Sequence, residues 1–438
     1  MKETLIIAVN QKENLAKSIS ALSLVVLALF AAFSFFPTSI ADMAYQYKHL
    51  ILAGTLIIYF SAHLLYQHRG YMFTAVDFWW TALIAYTMLS MLWGASAANS
   101  INNAFHFLIL YLIFKAFENI SWEGTNTRKT FFTLSLLAFS LLILFQIVYI
   151  FQSGLLEGQP IYNDGIVHFV PCLLSVIILP YVVFTKENIS NYLVAFLFAV
   201  NLWTAWILEM PQAIIVLLIL VISYILFKLT YTQSIKYLVL LGFLSILGFS
   251  LFYTVNSKFS QEISTGLNPA EFKSAVYMHD MQHMIEQIGV SPIVGHGSGS
   301  LSSLSIHEPD SKNAFHYPNN LVLSILAELG LIGLIMFCYI ALFPIIRLFN
   351  ERNILSTLEL SAVVSVVLFF FLSLFYGEMY TKPSFLATSP IIAIIGLAQI
   401  SKKGNANTLI SETSHKGASV ILLCLAVGCL VYYLGSPL

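Results

Sequence analysis

The chain has 438 residues, of which 58% are hydrophobic and only 9% charged. Ordinary soluble domains carry roughly 25% charged residues, so this composition excludes a soluble globular protein. With 20 Lys and Arg against 21 Asp and Glu, the net charge of −1 also excludes a bulk electrostatic pull towards nucleic acid.

In chain order, apolar runs of nearly membrane-spanning length recur near residues 18–36, 50–66, 73–93, 101–117, 130–151, 168–185, 191–208, 212–228, 236–254, 321–346, 357–376, 384–400 and 418–435. A helix needs about 20 residues to cross ~30 Å of hydrocarbon. The pattern therefore predicts an all-α polytopic membrane protein with about 12 to 13 transmembrane helices. The first run follows Lys2, Lys12 and Lys17, is longer than a signal-peptide core and lacks a following cleavage pattern, so a retained anchor helix is expected.

Cations near span ends set orientation. With the N-terminus inside, fifteen of the twenty fall on the inner side, including Lys115 and all four Arg. Lys48, Lys258, Lys273, Lys312 and Lys382 alone fall outside. Residues 1–254 then hold helices one to nine, 255–320 form one large outer loop, and 321–438 hold the C-terminal helices.

The loop contains five of the eleven histidines. Long loops in otherwise tightly connected proteins tend to be functional. Its stretch Glu271 to Ile288 has apolar residues at helical spacing, which predicts a short helix on or near the membrane surface. His279 and His283 share one face of that helix. Their spacing fits paired metal ligands with His296 or His307 as a third, but fits better a polar face or a diphosphate contact, so no metal and no cofactor is expected. The turn Gly295 to Gly299, GHGSG, either presents a nest of amides to phosphate or is simply a tight loop near the membrane.

Isolated polar residues in the spans are read individually. Glu209, followed by Met210 and Pro211, lies at the outer junction of spans seven and eight, where it is either functional or merely hydrated. Asp77 is expected to face a cavity near the inner surface. Trp79, Trp80, Trp93, Trp203 and Trp206 read mostly as an aromatic belt. Cys172, Cys338, Cys424 and Cys429 lie in apolar runs and read as packing residues, not as a disulfide framework or zinc site.

From Ser291 to Ile340 an S-P, the Gly-x-Gly-x-Gly turn, the loop edge His316-Tyr-Pro-Asn-Asn320 and an L-x-x-L-x-E-x-G-x-x-G helix follow in order. This arrangement resembles the superfamily of O-antigen ligases, O-antigen polymerases and bacterial protein O-oligosaccharyltransferases, with Asn320, Leu323, Leu326, Glu328, Gly330 and Gly333 matching its pattern. Weaker echoes are LSMLWGASAANS at Leu89 to Ser100 and the stretch Gly377 to Ala398. The resemblance implies a multi-pass bacterial inner-membrane glycosyltransferase, metal-independent and inverting, with its active-site loop in the periplasm. It also implies an undecaprenyl diphosphate-linked glycan as donor, and lipid A core, a polysaccharide or a protein as acceptor.

The family usually carries an Arg at the outer end of a mid-chain span, an Arg at the start of the loop helix and a His directly before the motif Asn. This chain has Gln212, Tyr277 and Asn319 at the corresponding places. A leaving diphosphate develops negative charge, which fixed donors must stabilise. Here the duty would fall on Lys258, Lys273, Lys312 or Lys382, on histidines or on backbone amides. His316 is the nearest candidate for the base that takes the acceptor proton, since an unperturbed imidazole titrates near pH 6.5. Its alternative is an interfacial residue beside Tyr317. The expected site is thus His316 as base, with Lys312, Asn319, Asn320, Gln212, Tyr277, His279, His283 and Glu209 around the substrate. The late position of the long loop favours a ligase over a polymerase. A non-catalytic member of the same fold is the other reading, and a transporter is disfavoured by the scarcity of mid-span charges and of any inverted repeat.

Overall fold

The computed structural model describes residues 38–66, 75–118, 198–200, 202–203, 214, 217–222, 284–300, 321–351 and 415–435. Five helices organise them: α1 (Thr38–Tyr66), α2 (Ala75–Leu89), α3 (Ala97–Glu118), α4 (Leu321–Glu351) and α5 (His415–Gly435). The described residues contain no strand. Three stretches, Ala97–Ala116, Val322–Ile340 and Gly417–Gly435, are long and apolar enough to cross a membrane, with Leu50–Leu64 and Val76–Leu92 as shorter apolar helices.

The helices depart from the apolar runs where local chemistry differs from hydropathy. Helix α1 begins at Thr38, well before the run at 50, although a connecting loop is expected there. Between Pro37 and Leu50 no Gly or Pro interrupts the chain. A helix nucleated in the apolar part can therefore propagate back through polar residues to the proline.

Helix α2 tightens into a 3-10 turn at Ser90–Leu92. The chain then reverses through Trp93 and Gly94, whose amides both donate to Ser90 O at 3.3 and 2.8 Å. Ser96 restarts the helix as its N-cap, its hydroxyl accepting the Asn99 amide at 3.3 Å. The result is a tight antiparallel α2–α3 hairpin.

Large side chains fill the hairpin and its neighbours. Trp80 is buried beside Tyr111 and Phe114, so it belongs to the core and not to an aromatic belt. Helix α1 joins through Tyr59, whose hydroxyl donates to Ala116 O at 2.7 Å. Helix α5 brings Tyr432 flat against Phe105, with ring centroids 3.9 Å apart. Trp79, near the start of α2, packs against Tyr339, well along α4. These contacts make α1, α3 and α4 run one way and α2 and α5 the other.

Helix α4 is expected as one span but is two pieces. Gly330 breaks it with φ 65° and ψ −168°, a conformation outside any helix. Before the break, Leu323 and Ala327 pack against Met284 and Ile288 of the helical stretch 284–290. Four-residue spacing on both sides sets one apolar face against another.

Candidate functional site

Residues 291–300 hold the glycine turn, and they form the most polar assembly among the described residues. On one side they meet the break in α4. His296 N and Gly297 N donate to Ala327 O and Glu328 O, both at 2.9 Å, while Leu331 N and Ile332 N donate to Pro292 O and Ile293 O at 2.9 and 3.2 Å. A broken helix orphans carbonyls on one side of the break and amides on the other. The turn supplies partners for two of each.

Glycine is required at this splice by proximity. A Cβ on Gly295 would collide with the backbone of Glu328 and Gly330, and one on Gly330 would collide with the backbone of Ile293 and Gly295. The two face each other at positive φ, where only glycine avoids both penalties.

On its other side the turn meets the α2–α3 corner. Gly297 lies against the backbone of Gly94. Ser298 N donates to Ser90 Oγ at 3.0 Å, and Ser100 Oγ donates to Ser298 O at 2.9 Å. Asn103 Nδ2 donates to Ser298 Oγ at 2.9 Å and Asn99 Nδ2 to Gly299 O at 3.3 Å. Tyr86 adds its hydroxyl to Val294 O at 3.1 Å.

Local bonds close the turn's own ends. Gly295 N donates to Ser291 O at 3.0 Å, and Ser291 Oγ donates to Gly295 O at 3.0 Å. His296 Nε2 lies 2.8 Å from Gln287 O. A carbonyl can only accept, so Nε2 carries the proton. That nitrogen is committed to a carbonyl near the end of a helix and is closed to a metal.

Of the two expectations for GHGSG, the tight loop fits four of its five amides. The amides of Gly295, His296, Gly297 and Ser298 all donate within the protein. The turn is a structural splice, not a phosphate nest. Glu328 is buried beside it, on the last turn before the break.

At the opposite end of the hairpin lies a second polar feature. Lys115 Nζ sits 3.0 Å from Asp77 Oδ1, with both side chains essentially inaccessible. Asp77 therefore faces a lysine and not a cavity. The pairing matches the helix ends: Asp77 lies in the first turn of α2 and Lys115 in the last turn of α3, where their charges oppose the two helix dipoles.

His316, Lys312, Asn319, Asn320, Gln212, Tyr277, His279, His283 and Glu209 all lie outside the described residues, as do His307 and the stretch from Gly377 to Ala398. Of the motif positions, Leu323, Leu326, Glu328, Gly330 and Gly333 are described, and they form the pieces of α4 on either side of the break. Among the described residues no three His, Cys, Asp or Glu side chains gather as a metal site. Sequence reading did not single out Ser90, Ser100, Asn103 and Ser298 individually. Their signal is a ladder of polar residues, Ser96, Asn99, Ser100 and Asn103, at three- and four-residue spacing on a helix otherwise rich in Phe, Leu and Ile.

Comparison with known proteins finds no family model that matches the chain and no curated protein that matches it. What stands, among the described residues, is a set of helices, three of them long and apolar enough to cross a membrane, in which three separated stretches, 89–103, 291–300 and 327–333, close on one another.

Proposed function

We propose that this is a bacterial inner-membrane glycosyltransferase that moves a glycan from undecaprenyl diphosphate to an acceptor hydroxyl at the periplasmic face, in the manner of O-antigen ligases and polymerases. The observation that supports the reading is the meeting of three stretches with that family's pattern. The Ser-x-x-Trp corner, the Gly-x-Gly-x-Gly turn and the E-x-G-x-x-G helix lie far apart in sequence and pack as one unit. An accidental likeness gives no reason for the same three segments to need one another.

In this reading the acceptor oxygen attacks the anomeric carbon as its proton passes to His316. The bond from that carbon to the diphosphate oxygen breaks, and undecaprenyl diphosphate leaves with the electron pair. Lys312 contributes positive charge to the diphosphate. Asn319, Asn320, Gln212, Tyr277, His279, His283 and Glu209 line the donor and acceptor sites. Lipid A core, a growing polysaccharide and a protein remain the acceptor classes, and no cofactor takes part.

A second reading, a non-catalytic member of the same fold, is favoured by Gln212, Tyr277 and Asn319 at places where the family carries Arg, Arg and His. The splice sharpens the question, because the amides of Gly295, His296, Gly297 and Ser298 are already engaged within the protein and supply no substitute for the missing cations.

The experiment is in vitro transfer from an undecaprenyl diphosphate glycan to a supplied acceptor, using the full chain. His316→Ala is expected to lower transfer by roughly 10² to 10⁴, the usual range for losing a general base. Undiminished transfer in that variant would remove His316 from the mechanism. Wild type inactive with every lipid-linked donor tried would favour the non-catalytic reading.

A further inference from the structure

We infer that the glycine turn lies inside the bilayer, with Ile293 and Val294 immersed in lipid acyl chains, although it belongs to the longest hydrophilic connection in the sequence. The first observation is the length of the span below it. From Leu331, where helix resumes, to Arg347, the first charged residue, α4 provides about 24 Å of apolar helix. Hydrocarbon is about 30 Å thick. The missing ~6 Å is close to the thickness of one packed polypeptide layer, and the layer hydrogen-bonded to Leu331 and Ile332 is the turn itself.

The second observation is what the turn presents outwards. Ile293 is 61% exposed, while Leu331 and Ile335, one helical turn apart on the span, are 49% and 53% exposed. Because Ile293 O accepts the Ile332 amide, this exposed apolar residue lies next to the exposed pair on the span. Beside it, Tyr86 bonds to Val294 O and packs against Trp93, with ring centroids 5.7 Å apart.

The third is the fate of the backbone. Irregular chain at membrane depth survives only where protein satisfies its polar groups. The turn meets that requirement at its carbonyls: those from Pro292 to Gly295 and from Gly297 to Gly299 all accept protein donors. The occupant of the exposed face is the bilayer, and this holds whether or not the protein transfers glycans.

The test uses the full chain in lipid vesicles, with nitroxide labels at Ile293, at Ile335 and at Glu286 in a variant lacking the native cysteines. Ile293 should resemble Ile335, with collisions dominated by oxygen, whereas Glu286 should be dominated by a water-soluble nickel chelate. Nickel access at Ile293 equal to that at Glu286 would overturn the inference. Exclusion of both reagents from Ile293 would also overturn it, pointing to a protein partner or a second copy. A parallel measurement on the unmodified protein uses a photoactivated diazirine lipid with its reactive group in the acyl chain. A tag within residues 290–294 is expected, and its absence beside a tagged Ile335 region refutes the placement.

Discussion

Adding one methyl group at Gly297 tests the splice most directly. Its φ is 90°, and the new Cβ would enter the backbone of Gly94, which has no flexible side chain to move aside. If the turn holds its place, the strained backbone costs about 1–3 kcal/mol. Overpacking adds about 1–3 kcal/mol. If the turn retreats instead, the buried bonds from Ser298 N to Ser90 Oγ and from Gly297 N to Glu328 O are lost. Each unsatisfied buried group then costs about 1–3 kcal/mol. Either route gives about 2–6 kcal/mol, a large part of the ~5–15 kcal/mol that holds a typical protein folded. Gly54→Ala is the control: nothing approaches its Cβ and it lies inside α1, so alanine should stabilise by roughly 1 kcal/mol through helix propensity. With the other three cysteines replaced by alanine, Cys429, which is fully buried, reports unfolding when a thiol-reactive dye reaches it during a temperature ramp in detergent. Gly297→Ala should melt many degrees below wild type. Melting with the wild type would refute the close packing and the hydrogen-bond accounting together.

Removing one member of the Asp77–Lys115 pair, by Asp77→Asn or Lys115→Met, should destabilise by about 3–5 kcal/mol because a charge stays buried without its counterion. The double variant Asp77→Leu with Lys115→Met should recover most of that loss in the same melting assay, and a double variant as unstable as the worse single one would contradict the pairing. Ser90→Ala removes the acceptor of the Ser298 amide and should cost about 1–3 kcal/mol, again read from dye access to Cys429. Cysteines introduced at Ser303 and Asn405 test orientation: an impermeant maleimide added from the periplasm should label the first and spare the second, and labelling of Asn405 alone inverts the topology.

What the sequence makes legible is governed by the range of the forces involved. The apolar cores of the described helices follow from composition, because hydrophobicity is additive along a run. The start of α1 does not, since helix propagation ignores hydropathy when no breaker intervenes. The break at Gly330 is also hidden. Glycine in an apolar helix is equally compatible with close helix packing, and its partner Gly295 lies inside the hydrophilic loop, in a different segment of the sequence. GHGSG is readable as a tight turn, but its choice between binding phosphate and binding protein rests on carbonyls of Ala327 and Glu328 that no local pattern announces. Asp77 and Lys115 are individually conspicuous as charges in apolar runs. Their meeting becomes predictable only once the two runs are known to form a hairpin with its turn at Trp93 and Gly94. For His316 and the residues grouped around it, family pattern is the sole guide, and it concerns chemistry that periodicity does not encode.

The bond between Ser298 and Ser90 spans 208 residues, and this separation has a consequence for how the protein is made. At about 5–20 residues per second, the ribosome needs roughly 10–40 s after finishing the α2–α3 corner before the glycine turn even exists. Throughout that interval Ser90, Asn99, Ser100 and Asn103 are left without the backbone they will later hold. Water is the only abundant substitute. The corner must therefore wait at the edge of the membrane, hydrated, and the late arrival of the turn expels that water as it locks the hairpin to α4. A truncated chain ending before the turn should consequently carry a wet notch where the complete protein has a sealed joint.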